Sequence, residues 1–335
     1  MARRVSAAAA GCALAIALTI WPAAAAGPAT ITVSGTAFHV DGRPAYLLGV
    51  SLFDALGSTP PRDLDLDTLG QWGVGLVRVW AHWLEPIYQG DGTLTAEGRT
   101  RLLTLTERLR TRGMVLELAL LRPGQLPGQG VAIFASAEAR VRAVQSITTA
   151  LRDYRNVIFD LYNEHDHPGG PISHADSRVL RDAVKAIDRA RLVTISSTGG
   201  HLVSAASQAG PAEEKNLREE AGTDPGAVAV DIVAPHFPRS DDWAAATGPR
   251  VAALKGVMEK MGRPLPIYLN EERRTDDRTA LDPAAYRDAF AKAREAGAAA
   301  WLFHTAAGFG LQQKPFLDAL KPNERAALAS LAPRR

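Results

Sequence analysis

Two apolar runs of this 335-residue chain end in acidic residues. Val157-Ile-Phe-Asp-Leu-Tyr leads into Asn163-Glu164, and Pro266-Ile-Tyr-Leu leads into Asn270-Glu271-Glu272. A third run, Leu76-Val-Arg78-Val-Trp80, holds an arginine among apolar neighbours, where a buried cation needs a carboxylate partner. Two carboxyl groups facing each other can divide the work of acetal cleavage. One protonates the departing oxygen and the other attacks the anomeric carbon; a separation of about 5–5.5 Å gives a covalent intermediate and retained configuration. Their surroundings must push their pKa values apart, and Arg78 would hold the attacking group ionised. Glu272 is a rival to Glu271. Neighbouring strand side chains point to opposite sides, so only one of the two can aim into a shared cavity, and the pattern Pro-Ile-Tyr-Leu-Asn-Glu favours Glu271.

Other polar and aromatic residues end runs of the same kind. His82 and Trp83 follow Trp80, His236 follows Pro235, and Trp301, Phe303 and His304 close the last run. Trp80, Trp83, Trp243 and Trp301 are candidate surfaces for stacking against sugar faces, although buried aromatics more often belong to a core. His165-Asp166-His167 opens a second reading, a metal-dependent hydrolase in which His165 and His167 hold a divalent ion. Such a site needs ligands from other strands, and His304 alone would not complete it. Without a metal, His165 and His167 are expected to line the rim of a substrate groove. A third reading is a barrel that binds glycans without cleaving them.

The elements that must position these groups are eight short aliphatic runs: 45–51, 74–80, 114–121, 157–162, 192–197, 228–235, 266–270 and 299–304. Each is almost continuously apolar, as parallel strands covered on both faces are. Helix signals separate them. Thr95 precedes Leu102, Leu105 and Leu109; Ser136 precedes Val141, Val144, Ile147 and Leu151; Asp282-Pro283 opens the segment holding Tyr286 and Phe290. Gly113, Gly262 and Gly297 stand where helices should stop. Eight strand–helix units predict a single (β/α)8 barrel, whose usual size is about 250 residues. The competing doubly wound sheet lacks its dinucleotide fingerprint, since no Gly-x-Gly-x-x-Gly follows the first run. Thr30–Val33 and Thr36–Val40 around Ser34-Gly35 predict a small hairpin plugging the barrel's N-terminal end, and 322–331 predicts a closing helix. In such barrels chemistry sits at the C-terminal ends of the strands, where Glu164 and Glu271 fall.

Residues 1–26 read as an export signal: Arg3-Arg4, an apolar run from Ala7 to Trp21, then Ala24 and Ala26 at the cleavage position. That run is too short and Ala-rich to favour a lasting membrane span. The mature domain is then 27–335, in the periplasm or outside the cell. The signal carries Arg3, Arg4 and no other charge, so its removal cancels the formal surplus of +2. A neutral chain argues against nucleic-acid binding, which depends on excess Lys and Arg. The single cysteine, Cys12, lies in the signal, leaving no disulfide, thiol nucleophile or cysteine metal ligand.

The whole pattern resembles the clan A glycoside hydrolases, and within them the cellulase-like family 5. The resemblance begins at Val33-Ser-Gly-x-x-Phe-x-Val-Asp-Gly-Arg-Pro-x-x-Leu-Leu-Gly-Val and runs through Arg78, Asn163-Glu164, His236, Glu271 and Trp301. It implies that Glu164 is the acid/base, that Glu271 is the nucleophile and that Asn163 binds a sugar 2-hydroxyl. It further implies supporting roles for Arg78, His236 and Trp301, an oligo- or polysaccharide substrate such as a β-linked glucan or mannan, and no cofactor. The chain departs from that pattern at several positions. Leu120-Leu121-Arg122 stands where His is common, His236-Phe237-Pro238 replaces His-x-Tyr, Asn-Glu-His replaces Asn-Glu-Pro, and Gly-Val-Ser replaces Gly-Val-Asn. The loops 122–130 and 199–224 are expected to shape the subsites.

Overall fold

The computed structural model describes residues 29–123, 134–199, 202–203, 209–274 and 282–331. The export signal proposed for 1–26 lies outside them, as do 124–130, 200–201 and 204–208 of the two subsite loops.

The chain opens with β1 (Ile31–Ser34), β2 (Ala37–Val40) and β3 (Arg43–Ala45), an antiparallel meander with Gly35 in the left-handed conformation its turn requires. The expected hairpin is present, with β3 as a strand not foreseen. The barrel follows in strict alternation: β4 (Leu47–Ser51), α1 (Asp63–Gln71), β5 (Val74–Trp80), α2 (Ala96–Arg110), β6 (Val115–Ala119), α3 (Ala137–Ala150), β7 (Val157–Asp160) and α4 (His174–Ile187). The second half runs β8 (Leu192–Thr194), β9 (Ser196–Ser197), α5 (Pro211–Ala221), β10 (Ala234–Pro235), α6 (Trp243–Lys260), β11 (Tyr268–Leu269), α7 (Pro283–Glu295) and β12 (Ala300–Phe303). Short helices α8 (Phe316–Ala319) and α9 (Pro322–Leu331) end the described chain. The proposed caps form: Thr95, Ser136 and Asp282 each accept a backbone N–H, and Gly113, Gly262 and Gly297 take positive φ just past their helices.

Seven strands form one parallel sheet in the order β11-β12-β4-β5-β6-β7-β8. The ring closes through β9, which continues β8 and pairs with β10, and through Val233, which exchanges backbone hydrogen bonds with Pro266 and Tyr268 at 3.0 and 2.9 Å. This is a (β/α)8 barrel. β8 and β9 are one barrel strand interrupted at Ile195, because the Ser196 N–H goes to the Asp160 carboxylate (2.9 Å) instead of a neighbouring carbonyl. The sixth run, read as 228–235, is a regular strand only at Ala234–Pro235, with Val233 adding a single parallel bridge to Ile267. The second loop is not open either, since α5 occupies 211–221.

Side chains alternate across the wall. Leu47, Leu76, Val115, Ile158, Tyr268, Ala300 and Leu302 point inward and meet Ile31, Phe38, Val40 and Ala45 of the meander, so the N-terminal end is plugged by a dry apolar layer. Phe38 packs edge-on against Tyr268 at 6.2 Å. Leu48, Val77, Leu116 and Phe159 point outward to the helices. Among the described residues no helix is long and apolar enough to cross a membrane.

Candidate active site

The character of the barrel interior changes one layer above the plug. Arg78, fully buried on β5, is the hub. Its Nη2 donates to Asp160 Oδ2 and Asn163 Oδ1, both at 2.7 Å, and its Nη1 to Glu271 Oε1 (3.1 Å) and the Asn270 carbonyl (2.9 Å). Nε lies 3.3 Å from Glu117 Oε1, and the guanidinium stacks 4.5 Å over Trp80. Glu117 is held in turn by Tyr268 Oη–H and Asn270 Nδ2–H at 2.7 Å each. Burial nevertheless pushes its carboxyl up to about 7, in spite of Arg78. The partner demanded by an arginine inside an apolar strand is thus a set of three carboxylates from three strands.

Glu164 and Glu271 face each other above this hub. Both contribute an oxygen to a group, completed by His236, whose ligand atoms all lie within 4.8 Å of one another. Glu271 receives Arg78 on Oε1 and Arg239 Nη2 on Oε2 (3.0 Å), with His304 Nε2 at 3.6 Å. Burial raises its carboxyl, but the electrostatic pull of the His236 and His304 imidazoles and of the Arg78 guanidinium outweighs that and brings it to about 2. Burial itself keeps the His304 imidazole well below its usual value. Glu164 Oε1 sits 3.0 Å from His236 Nδ1. Arg78 can only donate, so its 3.4 Å contact makes His236 Nε2 the acceptor and turns Nδ1–H toward Glu164. Burial raises Glu164 too, and the His236 hydrogen bond with the nearby positive charges lowers it to about 2.

The backbone presents Glu164 in an unusual way. Its φ of +52° lies in the left-handed region that a non-glycine residue adopts only when its surroundings enforce it. Here they do: the Glu164 N–H donates to Ser196 Oγ (3.1 Å) and the His165 N–H to the Ser196 carbonyl (3.0 Å). Ser196 Oγ is itself tied to Asp160 Oδ2 at 2.6 Å. Gly199 secures the other flank, because a Cβ there would stand 2.3 Å from the His236 carbonyl oxygen.

Glu272 settles on the far side. It is buried beside Thr247 and Arg250 of α6, and burial pushes it up to about 7 against the charges of Arg239 and Arg250. Glu271, not Glu272, reaches the cavity. It does so just beyond the end of β11, where the chain has left the alternation that turns Asn270 inward.

A cleft of about 260 Å³ opens over the pair, lined by Phe53, Trp80, Trp83, Arg122, Pro123, Asn163, Glu164, His167, Arg239, Glu271, Arg274 and Phe309. Of the residues read from the sequence, Arg78, Asn163, Glu164, His236 and Glu271 converge here, and Trp80 and Trp83 line the cleft. Trp301 does not. Parity along β12 turns Ala300 and Leu302 inward and Trp301 outward, where it is fully buried against Phe290 and Phe303. Trp243 is likewise buried, against Tyr286. The aromatic surface is built instead by Phe53 stacked on Trp80 at 3.7 Å, with Trp83 and Phe309 5.0 Å apart beside them.

His165 and His167 part company. His167 lines the cleft, whereas His165 is buried behind it with Nε2 3.0 Å from Glu220 Oε1 and its ring 5.0 Å from His174. His165 is therefore no rim residue, and the two do not converge on one ion. Donor atoms that could hold a metal form two groups among the described residues, Glu164/His236/Glu271 and His165/His174/Glu220. Each contains a His–Glu hydrogen bond of 3.0 Å.

Sequence reasoning missed Arg239, Arg274, Phe309 and the hub partners Glu117 and Asp160. Arg239 stands beside Pro238, three residues beyond His236, and donates through Nη2 to Glu271 Oε2. The signal was an arginine close after the sixth strand. Glu117 and Asp160 were visible as charges inside apolar runs, as Arg78 was.

The sequence matches no protein-family model and no curated protein. Its fold is shared with solved structures at low identity. A β-mannanase from the blue mussel Mytilus edulis is 13% identical over 92% of this chain and 97% of its own, with a TM-score of 0.57. A β-glucanase from Saccharophagus degradans is 12% identical over 94% and 95%, with a TM-score of 0.62. A glycoside hydrolase family 5 enzyme from Prevotella bryantii is 15% identical over 86% and 96%, with a TM-score of 0.60. At these identities the likeness is one of fold.

Proposed function

We propose that this protein is an exported retaining glycoside hydrolase acting on a β-linked glycan. The observation that carries the reading is the pair itself. Glu164 and Glu271 each bring a carboxylate oxygen into one cluster whose members lie within 4.8 Å at the C-terminal mouth of a barrel, close enough to act on one glycosidic bond and in keeping with a covalent glycosyl intermediate. The mannanase and glucanase named among the fold's relatives agree with a glucan, a mannan or a related glycan as substrate. The segment 1–26 supports export.

In this mechanism Glu271, kept ionised by Arg78 and Arg239, attacks the anomeric carbon. Glu164 protonates the leaving oxygen and then, as carboxylate, takes a proton from the water that releases the sugar. Asn163, held on Arg78, offers its side-chain amide to the sugar beside the reacting carbon. Glu164 is ionised before substrate arrives, so its proton is gained on binding. A sugar displacing water deepens the burial that already pushes this carboxyl up, and the neighbouring Glu271 charge favours protonation. The purified protein screened against polysaccharides and aryl glycosides should release reducing ends or aglycone, and Glu271→Gln should not. Equal rates for the two proteins on every active substrate would reject the reading, as would no release from any glycan tried.

A further inference from the structure

We infer that the protein carries a structural zinc site, separate from the cleft, in which His165, His174 and Glu220 hold one ion. Donor atoms of these three residues lie within 4.8 Å of one another, and His165 Nε2 stands 3.0 Å from Glu220 Oε1. They come from three places in the chain: the loop after β7, the first turn of α4 and the last turn of α5. Local hydrogen bonds bring them together. The Ile172 N–H donates to the His165 carbonyl and Tyr162 Oη–H to the Gly170 carbonyl, both at 2.8 Å. The loop so folded lets α4, capped by Ser173, begin beside His165. The end of α5 is pinned by the Val228 and Val230 N–H groups, which donate to the Glu219 and Glu220 carbonyls at 2.8 and 3.2 Å. His165 and Glu220 are buried, and His174 is partly exposed.

Two imidazoles and one carboxylate form a nitrogen-and-oxygen donor set suited to zinc, with water in the fourth position. Donors on a tetrahedral zinc stand roughly 3.3–3.5 Å apart, given bonds of about 2.0–2.2 Å. A cluster already within 4.8 Å reaches that geometry by small side-chain movements. A hydrogen bond from His165 would by itself satisfy a Glu220 oxygen. An ion explains why a second imidazole converges on the same carboxylate, its ring 5.0 Å from the first. The outer shell also has the form that metal-bound histidines take. Glu219 Oε2 lies 3.2 Å from His174 Nδ1, so that nitrogen carries the proton and Nε2 the lone pair. Adjacent glutamates of α5 thus divide the work, Glu220 on the ion and Glu219 behind the histidine. An ion held here lies behind the cleft and takes no part in its chemistry. It ties the loop that follows Glu164 to α4 and α5, steadying the left-handed turn at Glu164. The only cysteine is Cys12, so no disulfide within 27–335 could serve instead. Zinc binding is independent of whether the cleft hydrolyses glycans.

The test uses the full chain without a histidine tag, stripped with a chelator and titrated with zinc chloride in a calorimeter, with bound metal counted by elemental analysis. One ion per chain should bind with a Kd of about 1 µM or tighter. Zinc should raise the melting temperature by about 3 °C or more. His174→Ala should abolish the binding, and Glu219→Gln should weaken it about 10–100-fold. Circular dichroism checks that each variant folds; should His174→Ala fail, Glu219→Gln carries the test alone, its side chain being 41% exposed. The second donor group, Glu164/His236/Glu271, supplies the control, and Glu271→Gln should leave zinc binding as it is. No zinc bound by the unmutated protein, binding untouched by both His174→Ala and Glu219→Gln, or binding lost in Glu271→Gln alone would overturn the inference.

Discussion

The two ends of the barrel interior are built from the same strands and have opposite chemistry. At the N-terminal end, Leu47, Leu76, Val115, Ile158, Tyr268, Ala300 and Leu302 close on Phe38 and Val40 with apolar atoms alone, apart from the Tyr268 hydroxyl. Two residues further along the same strands stand Arg78, Glu117, Asp160 and Asn270, all fully buried and joined by charge and hydrogen bonds. The lower layer is stable in itself, since burying apolar surface is favourable without a partner. The upper layer is stable only as a set. Removing one charge strands the others, which is the penalty a protein accepts where it needs ionised groups away from water. The difference teaches where to look for function: the plug carries the stability, and the mouth spends it.

Four experiments would break or sharpen that contrast. The largest effect is expected at the mouth: Glu164→Gln should lower turnover by about 10²–10⁴-fold, while a thermal scan still shows a cooperatively folded protein. Next, Arg78→Met should remove about 3–5 kcal/mol of stability in urea titration, because Glu117, Asp160 and Glu271 lose their shared cation. At the plug, Phe38→Ala should also cost about 3–5 kcal/mol, yet the folded fraction should keep its KM and kcat, which would separate the two ends directly.

The smallest effect is a pH signature. Glu272 has a folded pKa of about 7, above the ordinary 4.5, so its contribution is complete below pH 4.5 and is lost as pH rises through 7. Glu272→Gln should therefore remove up to about 3 kcal/mol of pH dependence in that window. Glu164 and Glu271, near 2, act in the opposite sense. Their contribution is complete above 4.5 and is lost as pH falls toward 2, which denaturant midpoints between pH 2 and 8 would reveal.

The barrel was readable because continuous apolar runs and cap residues report local geometry, and Thr95, Ser136 and Asp282 cap as their types require. Glu164, Glu271 and Arg78 were readable because charged residues at the ends of apolar strands, or inside them, must meet. At Trp301 the resemblance misled and parity held: Trp301 follows the strand period outward, while His304, on the inward parity, reaches Glu271; at Glu271 parity itself fails, because the chain has left the strand. His165 and His167 look alike in sequence, yet the left-handed turn at Glu164 sends one into the core and the other to the cleft. Arg122 and Arg274 were the least legible. Their positions depend on loops and on ring faces contributed by distant segments, for which residue spacing holds no signal.

The anomeric configuration of the first product, followed by proton NMR on whichever β-glycan the protein cleaves, tests the paired-carboxylate account most directly. Attack by Glu271 followed by water on the same face predicts that the β-anomer appears first and mutarotates later. Initial appearance of the α-anomer would mean a single displacement by water and would contradict the account.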